Sequence, residues 1–269
     1  MFGALPVQAV DTGLVMQALE PIWATKPETA SRVRGRIEAV LDWATVRGHR
    51  QGENPARWRG HLDKLLPARN KVRAVKHHAA TPYPEVPSFL ERLRSVQAIS
   101  ARALEFAILT AARSGEVLGA RWDEIDDVAG VWIVPPARMK AGKEHRVPLT
   151  PAALAVLAEM RELRQPFVFP GQRRGKPLSN MAMDMTLRRL GEDVTVHGFR
   201  SSFRDWAAER SSFASEVVEM ALAHAIGSKV EAAYRRGDLF EKRRRLMEAW
   251  AGFCGALATS AGNVVALGR

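Results

Sequence analysis

The chain has 269 residues, 46% of them hydrophobic, enough for a sizeable core and for two domains or one medium and one small domain. A total of 40 Lys+Arg against 29 Asp+Glu leaves +11 at pH 7 and a pI near 10.5, which points to a polyanionic partner such as nucleic acid. No apolar run approaches the roughly 20 residues of a membrane span, the N-terminus lacks the pattern of a secretory leader, and the single Cys254 excludes an intrachain disulfide and a cysteine zinc site, which fits a reducing cytoplasm.

Residues 1–80 are the more basic part, with 13 Lys+Arg to 7 Asp+Glu. A first helix is expected in "VDTGLVMQALEPIW". A second, amphipathic one is expected over residues 26–48, where Val33, Ile37, Val40, Leu41 and Ala44 recur at helical spacing and Arg32, Arg34 and Arg36 take much of the rest. Pro27 suits its first turn and Gly48 its stop. A solvated helix with a basic side would explain this piece alone. With a second basic helical piece, "ARWRGHLDKLLPARNKVRAVKHH", a DNA-facing surface becomes the favoured reading. Residues 67–87 hold four prolines and a basic run without a sustained apolar period, and read as an interdomain linker. His77 and His78 lack carboxylate or thiol neighbours, so they read as part of a charged linker near DNA.

Beyond residue 87 the pattern is mainly helical. "PSFLERLRS" and "ISARALEFAILTAARSGEVLGAR" are followed by "GVWIVPPARMKAGKEHRVPLT", whose β-branched runs flank a Gly-containing turn and predict a hairpin or small sheet. Pro151 opens another helix, "FVFP" is strand-like, and helices are expected in "LSNMAMDMTLRRL", "VHGFRSSFRDWAAER", "SSFASEVVEMALAH", "SKVEAAYRR" and "LFEKRRRLMEAWAGF". The fold class is mainly α with a small antiparallel β-sheet or hairpin.

Four segments carry residues suited to chemistry. Arg113 ends a nearly all-apolar helix, and Glu116 is placed to orient its planar fork; a stabilising helix-end charge is the plainer explanation. Lys140 lies at the tip of the hairpin, where a solvated turn lysine would also occur. His197 and Arg200, three apart, share a helix face, near a helix N-terminus that favours anions. His224 and Tyr234 flank the turn "AIGSK", so two short helices can bring them to one cleft. Taken singly, Tyr234 could be a stacking platform, a core residue or a nucleophile. A zinc site on His197 and His224 lacks a third ligand. Together the six fit phosphodiester chemistry. A tyrosine hydroxyl, with a pKa of about 10, needs a base or cationic site; two arginines can grip non-bridging oxygens; a lysine can protonate a leaving alkoxide.

The order R…K…H-x-x-R…H…Y resembles the tyrosine recombinases, with wording close to prophage and genomic-island integrases. The resemblance is carried by "TAARSGEV", "RMKAGKEHRVPL", "HGFRSSFRDWAAE", "LAHAIGSKVEAAYRRGDLFEKRRRLMEAW" and, upstream, "PIWATKPETASRVRGRIEAVLDWA". It implies a tyrosine recombinase catalytic fold in residues 88–269, after the linker 67–87 and a partial core-binding domain (helical, SAM-like, DNA-binding) in residues 1–66. It implies that Tyr234 forms a 3′-phosphotyrosyl link, that Arg113 and Arg200 clamp the scissile phosphate, and that Lys140 protonates the leaving 5′-oxygen. His197 helps activate Tyr234 or binds the phosphate, and His224 bonds a non-bridging oxygen. No metal, ATP or other cofactor is expected. The expected partners are double-stranded DNA, three further copies in a homo-tetramer and an accessory directionality factor, at the nucleoid in the cytoplasm. Such integrases usually begin with an arm-binding domain, and this chain is expected to start partway into the core-binding domain, either as a truncated form or with its upstream part left out. Site-specific integration or excision is the expected activity; a truncated remnant that binds DNA without productive recombination, and a nicking-closing enzyme, are the alternatives. The tail with Phe253 and Leu257 docks either on its own domain or on a neighbouring subunit.

Overall fold

The computed structural model describes residues 2–68, 72, 79–224 and 237–256. It divides into two compact units, Met1–His77 and His78–Arg269.

In the first unit, helix α1 (Thr12–Trp23) starts where Asp11 caps it, its carboxylate accepting from Leu14 N at 2.8 Å. Val15, Leu19 and Trp23 recur every fourth residue, and all three are buried. Helix α2 (Pro27–Val46) opens on Pro27 as the sequence implies and packs on α1, with Ala30 and Leu41 in the core that the two share. The expected apolar stripe is only partly the buried one. Val40 is 60% exposed, and with Trp43 and Val46 it lies outside the face that meets α1. Arg34 is not a free cation either: it bonds Glu38 Oε2 at 2.7 Å and the Ala56 carbonyl at 2.9 Å. The second basic piece differs from expectation more clearly. Residues 56–66 form turns with one 3-10 stretch, Leu62–Lys64, because Gly60 takes φ +72° and interrupts any continuous helix. Apart from Val72, residues 69–78, including His77 and His78, lie outside the described residues.

The second unit is built around helix α4 (Ile99–Thr110), which is buried on nearly every side. Helices α3 (Val86–Arg94), α6 (Pro151–Arg161), α7 (Ala182–Arg189) and α10 (Phe240–Gly255) pack on α4. Phe106, Phe169, Phe203, Trp132 and Trp250 fill the core, each stabilising by about 1.5–3 kcal/mol through apolar burial. The Trp250 indole N–H is satisfied by the Ile108 carbonyl at 2.9 Å. Phe253 stacks on Trp250 and meets Trp206 of its own unit at a tilt, while Leu257 lies outside the described residues.

The small sheet is antiparallel in the order β1 (Ile125–Asp126), β2 (Val131–Val134), β3 (His145–Pro148), with Val134 opposite His145 and Val131 opposite Pro148. The hairpin was legible and the short first strand was not. "FVFP" contributes isolated bridges rather than a strand, pairing Phe167 with Arg121.

The expected long helix through residues 99–121 is broken. Ala111 turns left-handed at φ +50°, and a separate short helix α5 (Ser114–Leu118) follows. Helices α8 (Gly198–Arg210) and α9 (Ser215–Ala221) complete the site-bearing elements. Residues 79–87, read as the end of a linker, are packed. Thr195 N donates to the Ala79 carbonyl at 3.1 Å, Val86 and Pro87 are buried, and Ser202 Oγ donates to the Thr81 carbonyl. Gly198 is required at that contact, because a Cβ there would stand 2.2 Å from the Ala79 oxygen.

Candidate active site

The site forms at the C-terminal end of α9. Every helix end leaves carbonyls without an intrahelical partner. Here two consecutive carbonyls, those of Leu222 and Ala223, are taken by side chains from distant elements. Arg113 Nη2 donates to Leu222 at 3.3 Å and Ala223 at 2.9 Å, and Arg200 Nη2 donates to Leu222 at 2.6 Å. The turn itself is a Schellman closure: His224 N reaches the Glu219 carbonyl at 3.0 Å and Ala223 N the Met220 carbonyl at 3.1 Å, with Ala223 at φ +49°. This closure brings the His224 ring back over α9 and against Arg200.

Arg113 sits where α4 has ended and α5 begins. Its backbone N–H donates to Glu116 Oε2 at 3.0 Å and its Nη1 to Glu116 Oε1 at 2.8 Å, so the carboxylate both caps α5 and aims the guanidinium. Arg138, on the β2–β3 connection, supports this turn from behind, donating Nη2 to the Glu116 carbonyl at 3.0 Å.

Arg200 projects from the first turn of α8. Nη1 donates to the Ala111 carbonyl, the left-handed residue that ends α4, and Nη2 approaches His224 Nε2 at 3.2 Å. Its Nε has no partner among the described residues. Burial, then the charge of Arg113, pushes its pKa down to about 10, which leaves it cationic at neutral pH. Each guanidinium has five N–H groups, and these contacts leave donors on both for a further anion.

His224 completes the cluster, with Nδ1 2.6 Å from Glu219 Oε2. Glu219 also meets Arg204 at 3.0 Å. His197 is the exposed N-cap residue of α8, one turn before Arg200. Lys140 is exposed in a tight turn closed by Gly142 N on the Met139 carbonyl at 3.0 Å, and it makes no hydrogen bond or ion pair among the described residues. Three of the six expected residues, Arg113, Arg200 and His224, are therefore in one bonded cluster. Tyr234 lies outside the described residues, as do Arg235 and Arg236.

Beyond the segment that holds Tyr234, Asp238 is fastened by the buried Arg243. Arg243 Nε donates to the Asp238 carbonyl at 2.7 Å, Nη2 to its carboxylate at 2.8 Å, and Nη1 to the Arg146 carbonyl of β3 at 2.5 Å. The other tyrosine, Tyr83, is committed elsewhere: its hydroxyl donates to Glu209 at 2.9 Å, a bond that raises its pKa, and its ring packs on Phe253.

Sequence reading missed His145, Glu219 and Arg243. Burial, with the charge of Arg243 next, lowers the pKa of His145 to about 4 and keeps it neutral. "EHRVPL" carries no mark of this, since the groups around His145 come from α5, α9 and α10. Among the described residues no three His, Cys, Asp or Glu gather as a metal site, and no helix is long and apolar enough to cross a membrane.

Comparison with known proteins identifies the family and the fold. Residues 1–61 match the model of the phage integrase central domain and residues 82–239 that of the phage integrase family. The prophage integrase IntA of Escherichia coli (strain K12) is 30% identical over 276 residues, covering 98% of this chain and 63% of the relative. The integrase of Enterobacteria phage P4 is 27% identical over 274 residues, covering 93% of this chain and 61% of the relative. This chain thus spans about three fifths of the length of those relatives. Among solved structures, a lambda integrase (75-356) dimer bound to a COC' core site superposes with a TM-score of 0.61 at 18% identity, over 82% of this chain and 81% of that one. The Tn1549 transposon integrase (aa 82-397) in complex with circular intermediate DNA gives 0.62 at 14% identity, over 91% and 87%. These place the fold, helical with a three-stranded antiparallel sheet, among the tyrosine recombinase folds. The chain belongs to the phage integrase family of tyrosine recombinases.

Proposed function

We propose that this chain cuts and rejoins DNA strands by two successive transesterifications, in the integration or excision of a prophage or genomic island. One observation carries the reading. Two arginines from separate elements converge on the Leu222 carbonyl, twelve residues before Tyr234, with donors to spare and His224 in contact.

In the proposed reaction the Tyr234 hydroxyl oxygen attacks the scissile phosphorus, forming a 3′-phosphotyrosyl bond as the bond to the 5′-oxygen breaks. Lys140 gives that oxygen its proton, and an exposed turn lets its long side chain reach the DNA. Arg113 and Arg200 bind the non-bridging oxygens and hold the charge that grows on them in the transition state. His197 takes part in accepting the tyrosine proton or binds the phosphate, and His224 bonds a non-bridging oxygen. The ester exchange stores the bond energy in the protein–DNA link, so rejoining by a 5′-hydroxyl needs no ATP.

Residues 1–66 serve as the core-binding part and 88–269 as the catalytic part, with the end of the expected linker, residues 79–87, packed on the catalytic part; the family matches over residues 1–61 and 82–239 support a two-part division. Four copies assemble on two duplexes, a reading supported by the solved structure of a lambda integrase tetramer bound to a Holliday junction. An accessory directionality factor selects excision, and the reaction takes place at the nucleoid in the cytoplasm. The test is a nicked suicide duplex carrying the element's attachment sequence. Wild type forms a covalent adduct and Tyr234→Phe does not. Retained DNA binding without adduct in wild type would instead make the chain a DNA-binding remnant.

A further inference from the structure

His224 has a partner at each ring nitrogen, and the two partners differ in kind. Glu219 Oε2 lies 2.6 Å from Nδ1, and a carboxylate accepts, so Nδ1 carries the hydrogen. Arg200 Nη2 lies 3.2 Å from Nε2, and a guanidinium can only donate, so Nε2 presents its lone pair. One neutral tautomer satisfies both contacts, and the alternative satisfies neither. The Glu219 carboxylate is itself fixed, with its other oxygen 3.0 Å from Arg204 Nε on α8. Its backbone carbonyl closes the Schellman turn on His224 N at 3.0 Å. Glu219 therefore holds His224 by main chain and by side chain.

We propose that Glu219 is a positioning residue for the reaction: it holds His224 through Nδ1, so the ring addresses the scissile phosphate only through Nε2. The inference rests on the recombinase reading and assigns a role that reading leaves open. A phosphodiester oxygen has no hydrogen to give. For His224 to bond it, Nε2 must become a donor while Nδ1–H stays on Glu219. The ring then binds phosphate as imidazolium, with Glu219 as counter-ion. One proton is taken up from solvent, one N–H bond forms at Nε2, and Arg200 Nη2 turns from the ring to the phosphate. Among the described residues, the charged groups bonded to the ring are Glu219 on α9 and Arg200 on α8, with Arg204 of α8 on the far oxygen of Glu219 and Arg113 reaching the adjacent carbonyls.

Nitrogen-15 NMR of histidine-labelled, DNA-free protein tests the geometry without any reaction. Wild type shows His224 as the single Nδ1–H tautomer, and Glu219→Ala shows a mixture. A wild-type ring protonated at Nε2 overturns the proposal. Adduct formation on the nicked suicide duplex tests the role. Glu219→Gln keeps the shape and loses the charge, and it slows cleavage by about 10- to 100-fold, the range for losing an outer partner of a metal-bound histidine, while duplex affinity and melting temperature stay near wild type. A residue acting through His224 must lose its effect once the ring is gone. Glu219→Gln therefore adds nothing to His224→Gln, whereas additive losses overturn the proposal. If wild type forms no adduct, the recombinase reading falls, and the tautomer measurement still decides whether Glu219 sets the ring.

Discussion

Arg113 and Arg200 do two things with one functional group. In the DNA-free chain they complete the end of α9 by bonding Leu222 and Ala223, and in the proposed reaction their remaining donors take the phosphate. A lysine has the charge without the planar fork. Arg113→Lys and Arg200→Lys are each expected to slow adduct formation by about 10²–10³-fold with a much smaller change in duplex affinity, checked by quantifying adduct and gel shift on one substrate. Equal losses in both assays would contradict a transition-state role. His145 gives a second prediction at this scale. Its pKa falls from 6.5 to about 4 on folding, so between those values the unfolded chain binds a proton that the folded one refuses. Stability is therefore fully present above pH 6.5 and declines as pH drops toward 4, by about 3 kcal/mol at most. His145→Gln is expected to flatten that part of a melting-temperature profile recorded from pH 4 to 7.

At the scale of elements, the site depends on where helices stop, and two of the stops are alanines in left-handed backbone. Ala111 ends α4 at φ +50° and Ala223 closes α9 at φ +49°. Such a conformation costs an L-residue roughly 1–2 kcal/mol, repaid here by arginine hydrogen bonds to the carbonyls of both. Ala223→Gly relieves the strain but frees the unfolded chain, so a neutral effect or a gain of up to about 1 kcal/mol is expected; Ala223→Val should lower the denaturation midpoint. Gly198→Ala would drive a methyl into the Ala79 carbonyl. It is expected to destabilise by several kcal/mol or to detach residues 79–81 from α8, read by melting and by hydrogen exchange at Thr195 N. The sequence reads as helical over residues 99–121, with Arg113 closing the apolar part, and ends the later helix at His224 before a turn. Neither reading points to an alanine as the stop, because alanine favours continuing a helix and carries no turn signature. Where a helix starts on proline at N1, as at Pro27 and Pro151, the sequence shows it directly.

For the whole molecule, a surplus of +11 predicts binding dominated by phosphate contacts. Log affinity for duplex DNA should fall linearly with log salt, with a slope of about −0.9 for each phosphate neutralised; a flat response would refute a DNA clamp. The sequence by itself determined the helical class, the hairpin and the basic N-terminal part, and it offered six site residues in order, of which the structure brings Arg113, Arg200 and His224 together. Those features lie in periodicity, composition and chain order, which a linear string records. Only the tertiary structure decided that Arg113, Arg200 and His224 share one helix end, that Arg34 is spent on Glu38 and Ala56, and that His145, Glu219 and Arg243 belong to the site's support. Those facts rest on hydrogen bonds between groups up to 110 positions apart. The partner of an arginine or a histidine is set by which carbonyls and carboxylates the fold leaves uncovered, and no local pattern encodes that.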